Sequence, residues 1–366
     1  MGEAAVTRFT DGLRLEPVGP GHAHDLWVVH NDDEAVPCGS RATHIQRQPV
    51  GHELEVDSSA TASGELEGPA ASPPTAADLA MHLVELRRCP VKSMQGEMPV
   101  EVTVDATGVV GDRAYALVDA DTGAVASAKD PRRWAGLLGF AARFSAEPGP
   151  GQPVTITLPG GAEVSSTDAD VDARLSAAVG RAVTLSTVPS AGAAYHEVWP
   201  DIEGLAPAEF VASLQSGQTS DGEPVSANPV GMLAPGTFQD VAPVTVLTTA
   251  SLRAAQRRHP DGDWDPRRFR MTMLLDTDGD SFDENDWVGH TLTVGAVRLS
   301  VFAPTPRCVM TTLAQPGLGV DREVLRTIAR HNRADFARVG VFACLGAYAN
   351  VELAGTIRLG DNAQVS

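Results

Sequence analysis

The chain of 366 residues has only four cysteines, Cys38, Cys89, Cys308 and Cys344, scattered along its length. That number and spacing exclude a disulfide framework, a structural zinc pattern and an iron–sulfur cluster. Long apolar runs are missing as well: none approaches the length that crosses a bilayer, so no membrane is expected as a partner. The first residues, Met1-Gly2-Glu3-Ala4-Ala5, have neither the basic start nor the apolar stretch of a secretory signal, and the expected location is cytoplasmic. Positive charge is in deficit, with 28 Lys and Arg against 47 Asp and Glu and a formal net charge of −19. A surface of that sign repels polyanions, and nucleic acid is not an expected partner. There is no internal repeat, no heptad and no nucleotide-binding glycine fingerprint. His82, His196, His259, His290 and His331 form no helix-face pair and no metal-ligand spacing.

Against these absences one segment stands out. Thr305-Pro306-Arg307-Cys308-Val309-Met310 follows the strand-like run Val297-Arg298-Leu299-Ser300-Val301-Phe302 and sets a lone thiol beside a guanidinium. A neighbouring arginine favours the thiolate, the form that attacks an electrophile or binds a soft metal, so Cys308 is the first candidate for catalysis and metal ligation. The alternative is a buried cysteine that packs as a small hydrophobe, the reading given to Cys344 in its apolar run Val341-Phe342-Ala343-Cys344-Leu345. Arg87-Arg88, Lys92, Arg113, Lys129, Arg132-Arg133 and Arg267-Arg268-Phe269-Arg270 interrupt the acidic background. They either converge on one small anionic ligand or stand singly as solvated charges. Asp112 and Asp240 read first as turn-capping carboxylates or orienting partners for a cation. Trp199, beside Pro200-Asp201, reads as a core or loop anchor or as part of a substrate mouth.

The texture of the chain changes at Met81, which is expected to lie near the functional start of the folded protein. Residues 34–80 are rich in Gly, Ser, Ala, Pro and acid, culminating in Pro69-Ala70-Ala71-Ser72-Pro73-Pro74-Thr75. Such a segment does not offset its ordering entropy and is expected to be disordered. Ahead of it, Leu13-Arg14-Leu15-Glu16-Pro17-Val18 and His22-Ala23-His24-Asp25-Leu26-Trp27-Val28-Val29-His30 read as a strand and a short amphipathic helix. That pair resembles the opening of GNAT-type acetyltransferases; without the acetyl-CoA-binding glycine loop downstream, the resemblance implies a remnant without activity.

From Met81 onward, short runs such as Leu83-Val84-Glu85-Leu86, Val100-Glu101-Val102-Thr103-Val104, Ala114-Tyr115-Ala116-Leu117-Val118 and Val154-Thr155-Ile156-Thr157-Leu158 are strand signals separated by Gly and Asp turns. A helix is predicted over residues 168–179, with Asp168 or Asp170 as N-cap and Gly180 past its end. Further strands and helices follow from residue 244. The fold class expected is mainly β with some α (α+β): two twisted β-barrels with peripheral helices, preceded by a largely disordered tail. The divisions fall at residues 1–80 (N-terminal extension), 81–195 (first barrel), 196–237 (a long connection) and 238–362 (second barrel).

Several phrases, in order, are similar to one family. Cys89-Pro90-Val91-Lys92-Ser93-Met94-Gln95-Gly96-Glu97 and Gly108-Val109-Val110-Gly111-Asp112-Arg113-Ala114-Tyr115-Ala116-Leu117-Val118-Asp119 resemble the N-terminal β-barrel domain that precedes a MOSC domain. Phe238-Gln239-Asp240, Thr248-Thr249-Ala250-Ser251-Leu252, Arg267-Arg268-Phe269-Arg270, Pro306-Arg307-Cys308 and Tyr348 resemble the MOSC domain itself, of the type found in bacterial and mitochondrial amidoxime-reducing proteins. The resemblance implies that the chain binds the molybdenum cofactor (molybdenum held by molybdopterin), that Cys308 is the protein's ligand to molybdenum, and that the reaction is the reduction of small N-hydroxylated or N-oxide substrates. It implies cofactor-binding roles for Lys92, Ser93, Arg113, Thr249, Ser251, Arg270, Thr272, Pro306, Arg307 and Tyr348. Lys92 and Ser93 would lie under the phosphate end, Arg113 and Arg270 would fork onto phosphate or ring, and Thr249, Ser251 and Tyr348 would donate hydrogen bonds.

The chain departs from the family pattern in places. Cys89 replaces an aromatic and is expected to be structural, and Met271-Thr272 replace Pro-Asn, so that Thr272 supplies only part of what an amide would. Neither an iron–sulfur module nor a PLP-dependent desulfurase domain is present in the sequence, so electrons are expected from a separate reductase, ferredoxin or flavoprotein. A non-catalytic cofactor carrier, or a sulfur-carrying protein with a persulfide on Cys308, is the alternative reading.

Overall fold

A computed structural model describes residues 7–10, 13–17, 27–31, 81–149 and 152–366. The chain divides into two compact units, residues 1–76 and 77–366. In the first, Thr7–Thr10, Leu13–Pro17 and Trp27–Asn31 form a three-stranded antiparallel sheet. The amphipathic helix expected over residues 22–30 is therefore corrected over its second half: Trp27–Asn31 is a strand, and Val28 and Val29 pair with Glu16 and Leu15. Two adjacent β-branched residues favour extended backbone over helix, a preference outweighed in the reading by the spacing of the apolar residues. Residues 34–80, with the expected disorder, lie outside the described residues.

The second unit is mainly β, as expected, and its centre is a closed barrel of seven strands. In order around the barrel these are Val244–Thr248, Met273–Asp276, Met81–Leu86, Asn362–Val365, Thr291–Val294, Val297–Pro306 and Val341–Leu353, the last pairing back to the first. Alternation along Val297–Pro306 points Val297, Leu299 and Val301 inward, where they meet Leu83, Val246, Met273, Leu292 and Ala349 in the largest apolar cluster. Closure leaves these strands no free edges. The one parallel pair, Val244–Thr248 with Met273–Asp276, requires a crossover, and the Thr249–Arg258 helix supplies it. That helix and the Arg322–His331 helix cover one side over Leu247, Phe269, Val324, Ile328 and Leu345. Met81–Leu86 takes all its strand partners from the far end of the chain, Met273–Asp276 and Asn362–Val365. The first segment of the unit is thus a stave of the second segment's barrel.

A second core gathers Val91, Met94, Tyr115, Leu117, Trp134, Phe140, Ile156 and Leu175, whereas Val102, Val104 and Val109 between them join the barrel's cluster. The predicted helix forms as Val171–Val179 and ends on Gly180 in the left-handed conformation (φ 77°). The stretch read as a long connection holds secondary structure of its own. The helix Ala208–Leu214 is followed by the strands Gln215–Gln218 and Pro224–Pro229, and the latter pairs with Ala194–Val198. Pro, Gly and Ser in that stretch mark hairpin turns here, which composition alone does not separate from a loop. Among the described residues no helix is long and apolar enough to cross a membrane.

Candidate functional site

Three polar side chains reach one cleft from a left-handed backbone. Ser93 (φ 64°), Arg113 (φ 50°) and Arg270 (φ 55°) are non-glycine residues in the region that favours glycine. Such a conformation costs roughly 1–3 kcal/mol per residue and persists only where neighbouring contacts over-determine it. The contacts are present: Arg113 N donates to Cys89 O at 2.8 Å, Phe238 N donates to Arg113 O at 2.9 Å, and Arg113 Nη2 donates to Arg270 O at 3.0 Å. Ser93 Oγ accepts from Ala128 N at 3.0 Å. Gly111 (φ 85°) makes the turn into Asp112 and Arg113, and a Cβ there would lie 2.6 Å from the Phe144 ring. Asp112 is both turn cap and arginine partner, accepting from Cys89 N at 2.7 Å and from Arg113 Nη1.

The cleft is partly open to solvent and is lined from three sides. One wall is Lys92, Ser93, Arg113, Ser127 and Lys129; a second is residues 238–242; the third is the barrel rim, with residues 268–272, residues 305–308 and Tyr348. Lys92, Lys129, Arg113, Arg270 and Arg307 bring more positive charge than the neighbouring Asp112, Asp240 and Glu197 balance. In a chain of net charge −19 this is a local inversion of sign.

Two lysines share one carboxylate at the floor. Lys92 Nζ donates to Phe238 O at 2.9 Å and to Asp240 Oδ1, and Lys129 Nζ lies 3.1 Å from Asp240 Oδ2. Lys129 also donates to Tyr195 Oη at 3.1 Å and Glu197 Oε2 at 3.3 Å, and both ammonium groups stand over the Tyr195 ring, at 4.5 and 4.8 Å from its centroid. The lysines respond differently to their shared partner. At Lys92 burial outweighs Asp240 and lowers the pKa; at Lys129 burial is overcome by Asp240, Glu197 and Tyr195, and the pKa rises well above the ordinary lysine value. Asp240 resists burial through Lys129 and Lys92 and is held well below the usual carboxylate range, whereas burial raises Glu197.

Cys308 follows the end of the Val297–Pro306 strand, half-buried against Ala128, Leu138 and Met310. Here one expectation is corrected. Burial pushes its thiol pKa up, and the offset from Lys129 and then Arg307 is incomplete. Arg307 is engaged elsewhere: Nη2 donates to Phe269 O at 2.7 Å, Nη1 to Met271 Sδ at 3.3 Å, and the guanidinium lies 5.3 Å from the Phe269 ring centroid. Burial lowers the pKa of both Arg270 and Arg307, and Arg270 Nη2 and Arg307 Nε are buried without a hydrogen-bond partner. Unpaired donors on cations that line a cleft are available to an anionic or polar ligand.

Of the residues expected at the site, the fold brings together Lys92, Ser93, Arg113, Arg270, Thr272, Pro306, Arg307, Cys308 and Tyr348. Thr249 and Ser251 are not among the lining residues. Both sit in the first turn of the Thr249–Arg258 helix, where Thr249 Oγ1 donates to Asp276 Oδ1 at 2.6 Å and Ser251 Oγ to the buried Glu284, while Thr248 Oγ1 caps Ser251 N at 3.1 Å. Their hydroxyls hold the helix to the barrel instead of facing a ligand. Thr272 lines the cleft, but its hydroxyl donates to Thr245 O at 2.6 Å and accepts from Thr245 N at 2.8 Å, a local use that does not reproduce an amide. Arg87, Arg88, Arg132, Arg133 and Arg267 pair with Glu85, Glu97, Asp221, Asp130 and Asp265 and do not converge on the cleft. Trp199 packs on Phe210 and donates to Ser226 Oγ at 2.9 Å, away from the lining residues. Thr305, Ser127, the Glu197–Tyr195 support and the central position of Lys129 are not apparent from the sequence. Lys129 carried a signal, as one lysine in an acidic chain; a strand-borne Glu or Tyr carries none.

Two family models match the chain. The family model described as MOSC N-terminal beta barrel domain matches residues 80–184, and that described as MOSC domain matches residues 235–364. Mitochondrial amidoxime reducing component 2 from Macaca fascicularis and from Bos taurus are each 30% identical over 129 residues, 34% of this chain and 37% of the relative. The match therefore spans little more than a third of those relatives. Among solved structures, the YUAD protein from Bacillus subtilis aligns over 78% of this chain and 95% of its own at 9% identity, with a TM-score of 0.35.

Proposed function

The chain carries a MOSC N-terminal β-barrel domain followed by a MOSC domain, and from that premise we propose that it is a molybdenum-cofactor oxidoreductase that reduces N-hydroxylated substrates, with Cys308 as the protein ligand to the metal. MOSC domains are associated with molybdenum cofactor binding. The observation that carries the reading is the cleft itself: an inverted-charge pocket, with unpaired Arg270 and Arg307 donors, that opens beside a single half-buried thiol. Among the described residues no three His, Cys, Asp or Glu side chains gather to hold a metal, so a metal on Cys308 needs further ligands from the group that carries it.

The residues present fit such a group. Arg113 and Arg270 suit a phosphate through planar forks, Lys92 as a point charge, and Tyr348 and Arg307 a polar ring. When bound, the cofactor supplies the two-electron oxygen-removing chemistry; the protein binds, orients and tunes. Lys129 and Arg307 favour the ionised form of Cys308 that a metal ligand must adopt, against the opposing effect of burial. Overall the substrate N–O bond breaks, two electrons arrive from a separate donor protein, two protons are taken up, and the N–H product leaves with water.

The test is reconstitution with molybdenum cofactor followed by benzamidoxime reduction with an artificial electron donor. Turnover in the metal-loaded protein is expected. Full loading with no turnover, together with delivery of cofactor to an apo-acceptor, would replace the oxidoreductase by a carrier.

A further inference from the structure

Among the described residues, six buried side-chain nitrogen or oxygen atoms have no hydrogen-bond partner, and three of them belong to the lining of the same cleft: Arg270 Nη2, Arg307 Nε and Thr305 Oγ1. On the reading above, an anionic ligand would pair the arginine atoms. Thr305 is left unpaired. It is 2% exposed in the Val297–Pro306 strand, three residues before Cys308, at a point where pairing with Val341–Leu353 shifts register between Pro304 and Pro306. Pro304 and Pro306 on either side lack amide hydrogens, so the backbone next to it offers fewer donors than a normal strand.

A hydroxyl left unsatisfied in a protein interior costs about 1–3 kcal/mol, and a residue with no polar task at such a place is more stable as valine, which has the same shape. Threonine keeps its hydroxyl and methyl on one carbon, and a χ1 rotation exchanges the two at nearly constant volume.

We propose that Thr305 is a binding residue whose hydroxyl is reserved for the neutral polar edge of the bound pterin, the donor and acceptor groups that the flanking guanidiniums, as donors only, cannot match in full. The assignment rests on the cofactor reading above. It leaves the empty protein carrying an unpaired group that the ligand alone relieves.

The test compares wild type, Thr305→Val and Thr305→Ser, each purified without and with molybdenum cofactor. Thr305→Val is expected to raise the melting temperature of the cofactor-free protein by about 2 °C, because it deletes the unsatisfied hydroxyl. The same variant should lose cofactor about tenfold faster on gel filtration, the ratio expected when a ligand hydrogen bond is removed. Thr305→Ser should retain cofactor as wild type does. A structural hydroxyl gives the opposite sign, with Thr305→Val less stable when empty, and that result overturns the assignment. So does equal retention by all three proteins, or an effect confined to the KM for substrate. If wild type itself takes up no cofactor, the functional reading fails, and the failure is distinguishable because it appears before any variant is compared.

Discussion

Replacing Asp240 by asparagine removes the one negative charge between Lys92 and Lys129 and keeps the side chain's size. Removing one member of a buried ion pair costs about 3–5 kcal/mol, because the remaining charge is stranded. The Asp240 side chain is 30% exposed, so solvent screens part of that loss and about 2–3 kcal/mol is expected. For a unit of roughly 290 residues the unfolding entropy is about 0.6 kcal/mol/K, and the cofactor-free variant should melt about 3–5 °C below wild type at pH 7. The pH dependence has a definite sign. The two lysines hold the Asp240 carboxyl well below its usual range, so its contribution is complete above the unfolded value near about 4 and is lost as pH falls through the folded value. The gap between the two proteins should be full at neutral pH and shrink in acid. An anionic ligand would stand in for the lost charge, so the gap should also be smaller in cofactor-loaded protein. Thermal melts across a pH series provide the assay. An unchanged or higher melting temperature for Asp240→Asn at pH 7 would refute the reasoning.

Thr249→Val and Ser251→Ala should each destabilise the protein by about 1–3 kcal/mol through lost helix-to-barrel hydrogen bonds, yet leave cofactor content unchanged; depleted cofactor in folded protein would return these residues to the site. Gly346 sits at φ 85°, with an added Cβ only 2.5 Å from Met271 Cε and 2.6 Å from Val246 O, and Met271 in turn accepts from Arg307. Gly346→Ala should therefore cost about 2–4 kcal/mol, measurable by chemical denaturation. Because burial raises the Cys308 thiol, its alkylation by iodoacetamide in cofactor-free protein should be slow at neutral pH and accelerate only above the ordinary thiol range; rapid labelling at neutral pH, absent in Cys308→Ala, would contradict the assigned burial.

The barrel strands were legible because alternation is a local signal: Val297, Leu299 and Val301 mark a core face before any partner strand is known. What closes the barrel was not. Met81–Leu86 reads as the first strand of its own segment, and only long-range pairing reveals its place between Met273–Asp276 and Asn362–Val365. Most of the residues that line the cleft stand in the short phrases singled out in the sequence. The errors share one cause: a hydroxyl's partner is set by tertiary structure. Thr249 and Ser251 looked like ligand donors yet serve Asp276 and Glu284, while Thr305, passed over between two prolines, is the hydroxyl left free. The adjacency of Arg307 and Cys308 likewise overstated their coupling, since the guanidinium is engaged by Phe269 and Met271 and Lys129 has the larger electrostatic effect on the sulfur. The left-handed backbone of Ser93, Arg113 and Arg270 has no sequence signature at all, because none is glycine.

The central claim is that one sulfur in a cation-lined cleft anchors a pterin-borne metal. Molybdenum and pterin content, measured side by side in wild type and Cys308→Ala from a molybdate-sufficient host, tests it most directly. The account predicts near-stoichiometric molybdenum and pterin in wild type, and a folded variant that has lost the molybdenum. Equal molybdenum in the two proteins, or none in either, would contradict it.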